Sequence, residues 1–153
     1  MSTKTVTKWT AKVVTGIAYD DIKDEYLAGK ITASRAAEMY VKYGGMSQEE
    51  AQEKVMVYDW EADGYEHVTV DRINDYEKHC EALNIPKDVY LEIRYIAANT
   101  ENDKDENGKS INYSAMQKVM SVINSYPLTS GQKDAVAKSI GWSDKNIRKY
   151  KLW

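Results

Sequence analysis

The chain has 153 residues, 42% of them hydrophobic and 29% charged, with a formal net charge of −3. That balance suits a globular chain, and the length suits one domain or two small helical modules sharing a core. No apolar run approaches the roughly 18 residues of a membrane span, the N-terminal MSTKTVTKWTAKVVTG lacks the apolar stretch of a secretory signal, and the lone Cys80 excludes an internal disulfide and fits a reducing compartment.

In chain order, residues 1–15 alternate loosely and read as a frayed arm or a partner-binding segment. A helix over 17–28 puts Ile22, Tyr26 and Leu27 on one side and stops at Gly29. Thr32 caps a second helix reaching about Tyr43, with Ala33, Ala36, Ala37, Tyr40 and Val41 as its apolar positions and Gly44-Gly45 as its end. Ser47 and Glu50 form a capping box for a third helix to about Asp63, before Gly64. Glu66 to Val70 (EHVTV) is the one stretch that looks extended, too short and isolated to build a sheet. Ile73, Tyr76, Cys80 and Leu83 make the stripe of a fourth helix over about 70–83. Pro86 opens a fifth with Val89, Ile93, Ile96 and Ala97 inward. Ser114 and Gln117 read as a second capping box, followed by the stripe Met116, Val119, Met120 and Ile123 and closed by Pro127. Thr129 and Gln132 cap a seventh helix ending at Gly141, and Ser143 caps a short eighth to about Lys151. The expected fold is therefore all-α, a compact bundle of seven to eight short helices joined by Gly/Ser-capped turns.

One joint occurs twice. Residues 42–48 (KYGGMSQ) and 138–144 (KSIGWSD) both stop a helix at Gly, place a large apolar residue next and cap the following helix with Ser. Met46 with Ala51, and Trp142 with Ile147, stand at the two positions of a hydrophobic staple.

The charge is unevenly distributed. Residues 1–16 carry +3, residues 17–108 carry ten bases and 22 acids, and residues 109–153 carry eight bases and two acids. This divides the chain into a basic arm or first helix (1–16), an acidic helical module (17–108) and a basic module (109–153) packed on it around one shared core. The aromatic set is twelve Tyr, four Trp and no Phe. These side chains combine an apolar body with a polar tip and suit interfaces or the edge of a modest core.

Three constellations are candidates for chemistry. The segment 129–151 resembles a helix-turn-helix, which would present Lys138, Lys145, Arg148, Lys149 and Lys151 to phosphates or bases. The competing reading is a stapled joint, whose twin at 42–48 leads into an acidic helix that would repel DNA. Asp103, Asp105 and Asn107, before Gly108, resemble the first half of a calcium loop. Position 12, however, is Ser114 where a bidentate Glu is wanted, and a polar turn held by Asx-type hydrogen bonds explains the same residues. His79 and Cys80, with His67 nearby, lack metal-ligand spacing, and the Cys80 side chain falls on a buried stripe. No catalytic residue and no cofactor is expected.

Two stretches resemble a helical module of structural or accessory proteins of tailed bacteriophages and prophages. One runs from Tyr26-Leu27-Ala28-Gly29-Lys30-Ile31-Thr32 through Tyr43-Gly44-Gly45-Met46-Ser47 to Tyr58-Asp59-Trp60. The other comprises Ile85 to Tyr90, Asp103-Lys104-Asp105 to Gly108, Ile123-Asn124-Ser125, Leu128-Thr129 to Gln132-Lys133-Asp134-Ala135, and the final Trp153. The resemblance covers roughly residues 17–153. The departure is the last helix, which in that module is acidic or neutral and here reads Asn146-Ile147-Arg148-Lys149-Tyr150-Lys151. What the resemblance implies is a non-catalytic interaction protein, virion-associated or a small phage factor in the host cytoplasm, not secreted, with a phage or host protein as partner. The acidic face for that partner would be Glu49, Glu50, Glu53, Asp59, Glu61 and Asp63; one such partner is a host defence nuclease whose nucleic-acid groove the acidic helices 47–63 and 71–83 would fill. The alternative is a DNA-binding protein using 129–151.

Overall fold

The computed structural model describes residues 19–153; the expected basic arm lies outside the described residues. Among those residues there are eight α-helices and no strand, so the fold is all-α. They form two compact units dividing at Gly64 and Tyr65.

The first unit holds a 3-10 turn, Tyr19–Asp21, then α1 (Ile22–Leu27), α2 (Ala33–Gly44) and α3 (Gln48–Ala62). Thr32 caps α2 by accepting from the Arg35 amide at 3.1 Å. Ser47 caps α3 in a complete box: its hydroxyl accepts from the Glu50 amide, and Glu50 Oε1 accepts from the Ser47 amide, both at 3.1 Å. Between these caps α2 ends on Gly45, whose φ of +69° a side chain would strain. Three residues then reverse the chain, making α2 and α3 antiparallel neighbours. Ala36, Ala37 and Ala51 are buried where these helices meet, and their small side chains permit a close approach. Around them pack Ile22, Met39, Tyr40, Val55 and Tyr58. With no Phe available, the core uses tyrosines and must satisfy their hydroxyls: Tyr40 and Tyr58 share a hydrogen bond at 3.0 Å. Burial, then that bond, pushes the Tyr40 phenol above its usual range. The Tyr19 ring lies edge-on to Tyr40, and a Cβ at Gly44 would stand 2.8 Å from the Tyr19 ring, so a larger residue there requires that exposed ring to move.

The second unit holds α4 (Val70–His79), a 3-10 turn at Glu81–Leu83, α5 (Lys87–Ala98), α6 (Ser114–Ser125), α7 (Ser130–Ser139) and α8 (Asp144–Tyr150). Its buried side chains include Ile73, Tyr76, Ile85, Tyr90, Ile93, Met120, Ile123 and Val136. Here too the tyrosine hydroxyls are partnered. Tyr76 donates to the Ile85 carbonyl at 2.6 Å, and Tyr90 accepts from Arg94 at 2.6 Å. Arg94 also pairs with Asp75 at 2.9 Å and donates to the Ser139 carbonyl at 3.3 Å, tying α5 to α4 and α7.

Across the charge step near residue 108, α5 packs on α6 and α4 on α7; charge sits on exposed faces, whereas units form through apolar ones. Several expectations need correction. The fourth helix ends at His79, and Leu83 is exposed in the following 3-10 turn while Ile73, Tyr76 and Cys80 are buried. The EHVTV stretch is the approach to that helix: His67 has φ +60°, and Thr69 accepts from the Arg72 amide as its cap. Ser114 does not cap α6. Tyr113 stands at the cap in a left-handed conformation, and the Asn102 side chain, from a loop eleven residues earlier, accepts from the Ala115 amide at 2.8 Å. The buried Ser114 hydroxyl instead accepts from the Asp103 amide at 2.6 Å. In α5 the buried positions are Tyr90, Leu91 and Ile93, with Val89, Ile96 and Ala97 only half-buried. Leu27, Ala33 and Val41, marked as apolar positions of their helices, are exposed.

Candidate functional site

Between α2 and α3 lies an open groove of about 520 Å³, within the roughly 300–1,000 Å³ range of ligand clefts. From α2 it is lined by Ala33, Ser34, Ala37, Glu38 and Val41, and from α3 by Gln48, Gln52, Val55, Met56 and Asp59. These positions recur at three-, four- and seven-residue steps, so each helix offers one continuous face. The floor is apolar: Ala37 and Val55 are its buried base, Met56 is half-buried, and Ala33 and Val41 stand exposed. One carboxylate comes from each wall. Asp59 accepts a short hydrogen bond from the Tyr26 hydroxyl; that bond, then burial, raises the Tyr26 phenol to about 12. Glu38 pairs with Arg35 one turn earlier on α2. A carboxylate has about four acceptor directions, so both retain capacity toward the groove.

Sequence reasoning missed this site, because it marked Ala33 and Val41 only as apolar positions of α2, without what covers them. The available signal was the width of the apolar stripe on α2, which adds Met39 to five predicted positions and exceeds what one neighbouring helix covers.

The six carboxylates expected to form one acidic face are not one face. At 3.6 residues per turn they spread over roughly 200° of the circumference of α3. Asp59 lines the groove. Glu50 is committed to the cap and Glu61 pairs with Lys23 at 3.7 Å. Glu49, Glu53 and Asp63 share the side of α3 on which Trp60 is buried. On α4, Asp75 is held by Arg94.

The C-terminal basic residues are brought together only in part. Lys138 pairs with Asp144 at 3.8 Å, and Lys151 with Asp134 at 3.4 Å. Asp134 also accepts from the Trp153 indole at 2.8 Å. Lys145, Arg148 and Lys149 are exposed on α8, a helix of seven residues, and none is ion-paired among the described residues. The recess beside them, about 380 Å³, is lined by Asp134 and Asp144 as well as Lys138, Arg148 and Lys151, so its charge is mixed.

The calcium-loop candidates form a tight hairpin turn. Asp105 Oδ1 accepts from the Asn107 and Lys109 amides, both at 2.9 Å, and Lys104 bridges Ser110. Asp103 pairs with Lys118. The carboxylates of Asp105 and Asp103 thus already serve the turn and α6, and Asn107 enters the turn through its backbone amide. Among the described residues no group of three or more His, Cys, Asp or Glu side chains is arranged to hold a metal ion. Cys80 is fully buried, and burial pushes its thiol up to about 12, the opposite of what a nucleophile requires. His67 stacks on Tyr95 at 3.7 Å, away from any thiol.

Comparison with protein-family models, curated proteins and solved structures found no match to this chain. Among the described residues no helix is long and apolar enough to cross a membrane.

Proposed function

We propose that this chain is a non-catalytic interaction protein of the bacteriophage type, virion-associated or a small phage factor, that holds a phage or host protein through its first unit. The observation that carries this reading is the α2–α3 groove, with an apolar floor left open to solvent between two carboxylate-bearing walls. Exposed apolar surface of this kind, rimmed by polar groups, is what protein partners cover. The resemblance of residues 17–153 to phage helical modules supports the setting. Imitation of nucleic acid by an acidic surface draws less support, since Glu61, Glu50 and Asp75 already have partners within the chain and Asp59 faces the groove instead. The helix-turn-helix alternative is weakened in the same way: two of its five cations are neutralised by Asp134 and Asp144.

A photo-crosslinking residue at Val41 tests this, with one at the exposed Leu83 as control. The expected result is a nuclease-resistant protein adduct from extract of phage-infected or prophage-bearing cells at position 41 and not at 83. Adducts equal at both positions, or destroyed by nuclease, would refute the reading.

A further inference from the structure

We infer that the groove takes an amphipathic helix of a cationic protein, seated lengthwise against α2 and α3, which already share α1 as a neighbour. This rests on the reading above and names the partner's chemistry.

The shape favours a helix. The lining residues span Ala33 to Val41 on one wall and Gln48 to Asp59 on the other, roughly 12 and 16 Å at 1.5 Å per residue. That length matches two to three turns. An extended peptide would need its backbone amides and carbonyls paired, and among the described residues no strand edge is available to pair them. The groove's side chains offer only Ser34, Gln48 and Gln52 for that task besides the carboxylates. A helix satisfies its own backbone and asks only for apolar contact. On α2 the wall is Ala33, Ser34 and Ala37, small enough to let a partner axis approach to the usual 8–10 Å.

Charge selects the partner's sign. The first unit, residues 1–64, holds eleven acids and eight bases, a net −3, and its described residues 19–64 carry −6 of that against +3 on residues 1–18. The second unit holds thirteen of each and is neutral. The field around the groove therefore attracts cations, and Glu38 and Asp59 stand where lysines flanking an apolar stripe would reach them. An acidic or neutral helix would find the same apolar floor but leave this field unanswered.

The test uses two fluorescent 18-residue peptides of identical Leu/Lys/Ala composition, one with leucines at i, i+3, i+4 and i+7 and lysines opposite, the other scrambled to abolish the stripe. Anisotropy should show the striped peptide binding at least tenfold more tightly than the scrambled one. Val41→Asp should weaken it at least tenfold, while Val41→Met, which keeps the apolar floor, should not. Glu38→Gln with Asp59→Asn should weaken it and flatten its salt dependence. Circular dichroism of each variant separates loss of binding from loss of fold. Equal binding of both peptides, or indifference to Val41→Asp in a folded variant, overturns the inference. If the peptides fail this test yet the partner crosslinked at position 41 is lost on Ala33→Asp, at another exposed lining residue, the groove is the protein-binding site and only the cationic helix is wrong.

Discussion

The two stapled joints use the same turn chemistry with different weights. At 44–51 the chain passes through Gly45 at φ +69°, half-buried Met46, the Ser47 cap and fully buried Ala51. At 140–147 it passes through Gly141 at φ +102°, half-buried Trp142, the Ser143 cap and buried Ile147. The first joint puts alanine at the inner staple position, so α2 and α3 close tightly on Ala36, Ala37 and Ala51, leaving Val41 and Met56 uncovered outside. The second puts isoleucine there, and the recess beside α7 and α8 is lined mainly by charge. A shared turn motif thus fixes how the chain enters a helix, while the side chains along the two helices decide whether the pair leaves an apolar surface to offer.

The largest expected effect comes from removing that inner residue. Ile147→Ala should destabilise the second unit by about 2–5 kcal/mol, a buried branched chain lost with a cavity left behind. Met46→Ala, at the half-buried outer position of the first joint, should cost less, about 1 kcal/mol. Urea unfolding followed by circular dichroism measures both, and equal losses would break the contrast. Next come the glycines. No atom lies within 4 Å of a Cβ placed at Gly45 or Gly141, so alanine at either should cost only the backbone strain, about 1–2 kcal/mol. Here the joints should agree, and a large excess at one site would show a clash that the geometry does not contain.

The fold was legible wherever a side chain caps its own helix. Thr32, Ser47, Thr129 and Ser143 all cap as their spacing indicates, because the hydrogen bond spans three residues and needs nothing from elsewhere. Ser114 had the same local signature and failed, because Asn102 supplies the cap from across a loop and the Ser114 hydroxyl is used by Asp103. The groove was hidden for the complementary reason. Hydrophobic periodicity marks Ala33 and Val41 as apolar, but whether another helix covers them depends on how closely α2 meets α3. The charge pattern was visible and misassigned, since the acids of α3 were counted without their helical angles or their partners Tyr26 and Lys23.

Smaller effects sharpen the functional side of the contrast. Arg148→Glu with Lys149→Glu changes two exposed residues and should leave stability within about 0.5 kcal/mol. It should also leave capture at the Val41 groove unchanged. Abolition of duplex DNA binding by this pair, in a chain that binds duplex at physiological salt, would restore the helix-turn-helix alternative.

The smallest effect is a difference in acid sensitivity between the two caps. The Glu50 carboxyl is held below its ordinary 4.5 by the Ser47 amide, then by the Ser47 hydroxyl. A carboxyl whose folded pKa is depressed contributes stability above its unfolded pKa and loses it as pH falls through the folded one. The α3 cap should therefore hold above about pH 4.5 and weaken progressively below it. At α8 the corresponding residue is Asn146, whose backbone amide donates to the Ser143 hydroxyl at 3.2 Å and whose side chain is a neutral carboxamide, so that cap has no carboxylate to titrate. Amide exchange at Ser47 and Glu50 should accelerate between pH 4.5 and 3 relative to Asn146, after correction for intrinsic rates, and Glu50→Gln should remove the difference. The glutamine can still accept from the Ser47 amide, so a difference that persists in Glu50→Gln would place the acid sensitivity outside this cap.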